Sequence, residues 1–174
     1  TIYWNCNYPN WYSIIIFSGN FETLFVGWEC IGISSFLLIS FYRDRYLPTK
    51  NSLKVFALYR IADALFIVAL WYMHHLFEKN VQFTEFASLI SEHGNSLVIL
   101  GILFLLVAMI KSAQFPFSYW LPRAMEGPTT SSAIFYGALS VHIGLFLLLR
   151  TYPLWEGSTG LRAAIALLGL CTAL

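Results

Sequence analysis

Charge is what this chain has least of. Of its 174 residues only 11% are Asp, Glu, Lys or Arg, where soluble domains carry about 25%. A surface facing water needs charge, so the deficit excludes an ordinary soluble domain and points to lipid surroundings. Acids and bases nearly balance at a formal net charge of +1, so no basic face invites nucleic acid. Cysteine is sparse as well. Cys6, Cys30 and Cys171 show no CxxC or zinc-type spacing and fit small apolar helix residues. There is no GxGxxG dinucleotide motif. No signal peptide, repeat, low-complexity linker or soluble domain stands out, and a chain running from Thr1 to an apolar Leu174 reads as a fragment of something longer.

Apolar and aromatic side chains fill the space: 58% of residues are hydrophobic, 18% are Phe, Tyr or Trp, and the mean hydropathy is +0.66. Four apolar runs approach the ~20 residues that cross a bilayer core. They cover 21–42, 53–77, 95–115 and 129–150, with partial helices at 11–19 and 160–174. None alternates as a barrel strand does, so the expected class is all-α, a polytopic transmembrane helix bundle. The loop "RDRYLPTKNSLK" carries Arg43, Arg45, Lys50 and Lys54 against Asp44, whereas "FEKNVQFTEFASLISEHGN" carries Glu78, Glu85 and Glu92 against Lys79. The positive-inside rule puts the first loop in the cytoplasm and the second outside.

Four charged residues lie well inside these runs, away from their ends: Glu29, Arg60, Asp63 and Lys111. A charge at the bilayer centre costs ~2.5–3.5 kcal/mol on insertion scales, so the set requires pairing, hydration or a function. Arg60 and Asp63, three residues apart, share a helix face and fit either a proton-handling pair or an ion pair that fixes helix packing. Glu29 fits either a proton site or a partner for Arg60. Lys111 precedes Pro116, which cannot donate to the carbonyl of Ser112; Pro122 repeats the effect at Ser118. Irregular backbone at membrane depth is tolerated where it is buried in protein or lines a wet cavity. The expectation is a broken helix whose unpaired carbonyls and negative end lie beside Lys111. His142 and Tyr136, on the fourth run, are candidate relay groups, and a single interhelical hydrogen bond explains His142 equally well. His74 and His75 sit at a helix end and look interfacial; no metal site is expected.

The segments "FVGWECIGISSFLLISFY", "LKVFALYRIADALF", "KSAQFPFSYWLPRAMEGPTTSSA" and "GLFLLLR" occur in one order over roughly Asn20–Glu156. Together they resemble the antiporter-like membrane subunits of respiratory complex I, in particular the subunit 5 or L type, which is related to multisubunit Na+/H+ antiporter subunits. The resemblance implies a bundle of about fourteen helices with two inverted five-helix repeats, each with one broken helix. It implies that Glu29 faces a neighbouring subunit, that Lys111 forms a proton site with it on the broken helix, and that Arg60 and Asp63 tune that pair. Ser118, Arg123 and Tyr136 stand where the family usually has histidine, an acid and histidine. His142 is a candidate replacement for the last of these.

The expected function is therefore proton translocation in an NADH:quinone oxidoreductase-like complex, with no cofactor in this chain. NADH, FMN, iron–sulfur clusters and quinone would belong to partner subunits. Expected partners are other membrane subunits, the lipid bilayer, and protons or Na+, in a bacterial inner membrane. The alternatives are a subunit of a Na+/H+ antiporter or of a proton-coupled bicarbonate transporter, and a scaffold whose ion pairs only fix packing.

Overall fold

The computed structural model describes residues 11–42, 44–93, 97–125, 127–129 and 140–174. Helices dominate: α1 (Phe21–Ile39), α2 (Tyr46–Phe77), α3 (Phe83–His93), α4 (Leu97–Lys111), a 3-10 turn (Phe117–Tyr119), α5 (Trp120–Ala124), α6 (Ser140–Arg150), α7 (Tyr152–Glu156) and α8 (Thr159–Ala173). Among the described residues there is no strand, only an isolated antiparallel bridge between Asn20 and Gln82. The expected all-α class therefore holds. By length and composition α1 alone among the described helices passes as a membrane span, with 19 residues. The apolar helices α4, α6 and α8 are shorter. The residues 130–139 of the expected fourth run, Tyr136 included, lie outside the described residues.

Local chemistry explains where the helices begin. Asn20 caps α1, its side-chain oxygen accepting the Thr23 N–H at 3.0 Å, which satisfies one of the orphan donors of a first turn. Helix α2 starts at Tyr46, seven residues before the expected 53, so most of "YLPTKNSLK" is helical rather than loop. Pro48 permits this because a proline in the first turn forfeits an N–H that has no intrahelical partner. The acidic stretch read as a loop likewise contains α3.

Helix α2 is the spine of the molecule. With 32 residues it is about 48 Å long at ~1.5 Å per residue, and it packs against α1, α4 and α5. Helix α4 is flanked by α2 and α6. The α4–α6 crossing is close because Gly144 has no side chain: a Cβ there would lie 2.1 Å from Ser112 Oγ and 2.8 Å from the Ala108 carbonyl. Small residues allow such backbone approach between apolar helices. Ser112 Oγ fixes the crossing by donating to the Val141 carbonyl at 2.8 Å.

Aromatic rings form a continuous column through the centre. Phe21 contacts Phe83, Phe86 and Phe104; Phe104 contacts Phe66; Phe66 contacts Trp28, all with ring centroids 4.4–5.8 Å apart. Tilted and edge-to-face pairs of this kind add to simple burial. The column ends where the buried charges begin.

Candidate functional site: a buried lysine beside an arginine–carboxylate cluster

Helices α1, α2 and α4 each deliver charge to one place. Asp63 is buried at 2% exposure, and Lys111, the last residue of α4, is fully buried. Arg60 binds both carboxylates: its Nη2 meets Asp63 Oδ2 at 2.7 Å and forms an ion pair and hydrogen bond with Glu29 Oε2. The Trp28 indole N–H donates to the other Asp63 oxygen, Oδ1, at 2.8 Å. The four charged candidates therefore meet, as an ordered series. Lys111 and Asp63 lie inside, while the Glu29 and Arg60 side chains are 20% and 38% exposed at the outer end. Arg60 also lies over the Phe56 ring, 4.9 Å from its centroid.

Lys111 makes no direct ion pair with Glu29, whose carboxylate is held by Arg60. Its Nζ has no hydrogen-bond partner. It sits over two ring faces instead, 4.1 Å from the Tyr59 centroid and 4.9 Å from that of Trp28. Gly32 supplies the room, since a Cβ at that position would come within 3.1 Å of the ammonium nitrogen. The hydroxyls of Tyr59 and Ser140 are likewise buried without a completed hydrogen bond.

The helix end at Lys111 differs from expectation. Helix α4 ends four residues before Phe115, and Ala113 takes a left-handed φ of 51°. The Ala113 N–H donates to Ile110 and the Gln114 N–H to the Met109 carbonyl, at 3.4 and 3.0 Å. This pair of bonds is the Schellman arrangement that closes helix ends. The Ile110 carbonyl also accepts the Trp120 indole N–H at 3.0 Å. The Met109 and Ile110 carbonyls at this helix end are thus occupied. Pro116 follows in a non-helical stretch, whereas Pro122 starts a helix rather than breaking one, lying in the first turn of α5. Both prolines are exposed, as are Ser118 and Arg123.

His142 is exposed on α6, on a different face from the buried Ser140, Ile143, Gly144 and Leu147. It is not part of the cluster. His74 and His75 are exposed near the end of α2. Among the described residues no group of three His, Cys, Asp or Glu side chains gathers to hold a metal. Reading the sequence for charge alone missed Trp28, Tyr59 and Gly32. The signal was adjacency: Trp28 precedes Glu29 and Tyr59 precedes Arg60.

Interlocked apolar helices carrying buried charges and an interrupted backbone after a lysine define a class of ion-handling membrane proteins. The family described as NADH:quinone oxidoreductase/Mrp antiporter, TM, matches residues 18–174, and the chain belongs to it. It is 41% identical over 150 residues to NADH-ubiquinone oxidoreductase chain 5 of Rhizopus stolonifer, covering 85% of this chain and 23% of the relative. It is 36% identical over 173 residues to NADH-quinone oxidoreductase subunit L of Neisseria meningitidis serogroup A, covering 92% of this chain and 26% of the relative. The solved Mrp complex from Dietzia sp. DQ12-45-1b superposes with a TM-score of 0.71 at 26% identity, covering 79% of this chain and 15% of that one. The chain spans about a quarter of the length of these curated relatives. It is an integral membrane protein of a transmembrane family.

Proposed function

We propose that this chain is part of a proton-translocating subunit of an NADH:quinone oxidoreductase-like complex, and that Lys111, Asp63, Arg60 and Glu29 carry the coupling. The reading assigns the helices α1, α2 and α4 and the α6 region to a polytopic bundle, with α4 and α5 as the halves of one broken span. One observation carries it: a fully buried Lys111 ammonium without a hydrogen-bond partner, next to two carboxylates both held by Arg60. A packing device would place the lysine on a carboxylate, since an unpaired buried charge is costly. A group that must release its proton gains from having no fixed partner.

In the proposed cycle a neighbouring membrane subunit changes the field at the half-exposed outer end, Glu29 and Arg60. Arg60 then shifts its hold between Glu29 and Asp63. Release of Asp63 draws the Lys111 ammonium toward it, and engagement of Asp63 favours loss of a proton from Lys111 to the next acceptor along the path. The cluster needs two arrangements rather than an open channel. Moving one charge through the membrane potential costs ~2.3 kcal/mol per 100 mV, within the range of one rearranged buried ion pair. His142 and Tyr136 are assigned to steps beyond Lys111. NADH oxidation, flavin, iron–sulfur clusters and quinone are assigned to partner subunits, and the bacterial inner membrane is the proposed setting.

A second reading, a subunit of a multisubunit Na+/H+ antiporter, is favoured by the likeness to the Mrp complex; proton-coupled bicarbonate uptake would use the same site. The test is the full-length protein in its assembled complex in sealed vesicles. NADH-driven proton uptake that is lost in Lys111→Leu supports the first reading. Gradient-driven Na+ exchange without NADH dependence supports the second, and full proton uptake by Lys111→Leu and Glu29→Gln overturns both.

A further inference from the structure

We propose that Trp28 and Tyr59 form a cation–π cage that holds the Lys111 ammonium while both carboxylates are taken by Arg60, with Trp28 linking the cage to Asp63. The inference rests on the proton-transfer reading above and adds to it two positioning residues that carry no charge.

The geometry is specific to these rings. Lys111 Nζ is buried without a hydrogen-bond partner, yet two ring faces lie within cation–π distance of it, Tyr59 at 4.1 Å and Trp28 at 4.9 Å. An ammonium lying within about 6 Å of a ring centroid is attracted by the negative face of the ring, most strongly when water is excluded. The rings are themselves fixed. Tyr59 packs edge-on to Trp120 and Trp28 edge-on to Phe66, with both centroid separations at 5.3 Å. Trp120 is anchored in turn through its bond to the Ile110 carbonyl, one residue before the lysine. The cage floor is Gly32, the position where a side chain would strike the ammonium.

Trp28 has two duties. Its face takes the ammonium while its N–H donates to Asp63 Oδ1 at 2.8 Å. Both the proton donor and its nearby acceptor thus rest on one indole. A displacement of Asp63 that turns the indole also moves the face supporting Lys111. Arg60 then acts on Lys111 through Asp63 and Trp28 without touching it. Ring faces suit this purpose because they stabilise an ammonium and accept no proton from it.

Graded fluorination tests the cage. Fluorine withdraws electrons from a ring face while leaving its shape almost unchanged. Trp28 is replaced site-specifically by mono-, di- and trifluorotryptophan in the full-length protein, and proton uptake is measured in assembled complexes in sealed vesicles. The expected result is a stepwise fall with each fluorine, to about a tenth of the original rate for the trifluoro ring. Because fluorination also makes the N–H a stronger donor, Tyr59 serves as the second arm: Tyr59→Phe keeps a ring face and is expected to retain several-fold more uptake than Tyr59→Leu, which loses about tenfold. Complexes that assemble and give a flat fluorine series, or equal uptake with Phe and Leu at 59, overturn the cage. If Lys111→Leu abolishes uptake while the series is flat, the cage alone fails. If Lys111→Leu keeps full uptake, the proton-transfer reading fails and the cage with it.

Discussion

At the residue scale the decisive fact is who holds whom. Arg60 occupies both carboxylates, leaving Lys111 to aromatic faces. Removing Arg60 therefore leaves Asp63, almost wholly buried, without its guanidinium. Arg60→Leu is expected to destabilise the protein by about 1–3 kcal/mol, the usual cost of stranding a buried polar or charged group, measured by thermal unfolding in detergent. Lys111→Leu is expected to have the opposite profile: stability unchanged or raised, because an apolar side chain of similar volume replaces an unsatisfied buried charge, with proton movement lost. Much of this was legible beforehand. Glu29, Arg60, Asp63 and Lys111 stand out because charge is rare in the chain, and rarity within apolar runs is itself a signal. The pairing of Arg60 with Asp63 and with Glu29 was among the readings the spacing offered; the seat of Lys111 on ring faces was not, because the rotation of one helix against another depends on packing at residues such as Gly32 and Gly144.

At the scale of elements, glycine and alanine positions decide how α1, α4 and α6 fit. A Cβ on Gly144 would press on the Ala108 backbone carbonyl as well as Ser112 Oγ, and backbone cannot swing aside. Gly144→Ala is expected to cost about 1–3 kcal/mol, typical of overpacking, and to weaken assembly of the complex in native gels. Ala113 offers the reverse opportunity, since it closes α4 at φ 51°, where a Cβ is disfavoured and glycine is the usual residue. Ala113→Gly should leave stability unchanged or slightly raised, and Ala113→Val should lower the melting temperature. The element boundaries show where sequence reading falls short. The α1 start at Phe21 followed from the apolar run. The α2 start did not, because the charged stretch around Pro48 reads as a loop although proline fits a first turn; Pro122, expected to break a helix, likewise lies in the first turn of α5. The end of α4 was assigned to Pro116, whereas the left-handed Ala113 ends it first.

At the scale of the whole molecule, an aromatic column and a charge cluster meet end to end, and the charges run from a buried lysine to a half-exposed Glu29–Arg60 pair. The proposed reading uses that polarity, assigning the held proton to the inner end and the action of a neighbouring subunit to the outer one. The all-α class and the family were legible in composition and in "KSAQFPF", because lipid surroundings leave a coarse mark on every helix. The inward-to-outward order was not, since burial emerges only when the helices are assembled. The most direct measurement is proton uptake per electron pair by the assembled full-length complex in sealed vesicles, compared between wild type and Lys111→Leu with assembly confirmed. The account predicts that uptake falls well below the wild-type ratio in the variant while the complex remains intact; an unchanged ratio would contradict it.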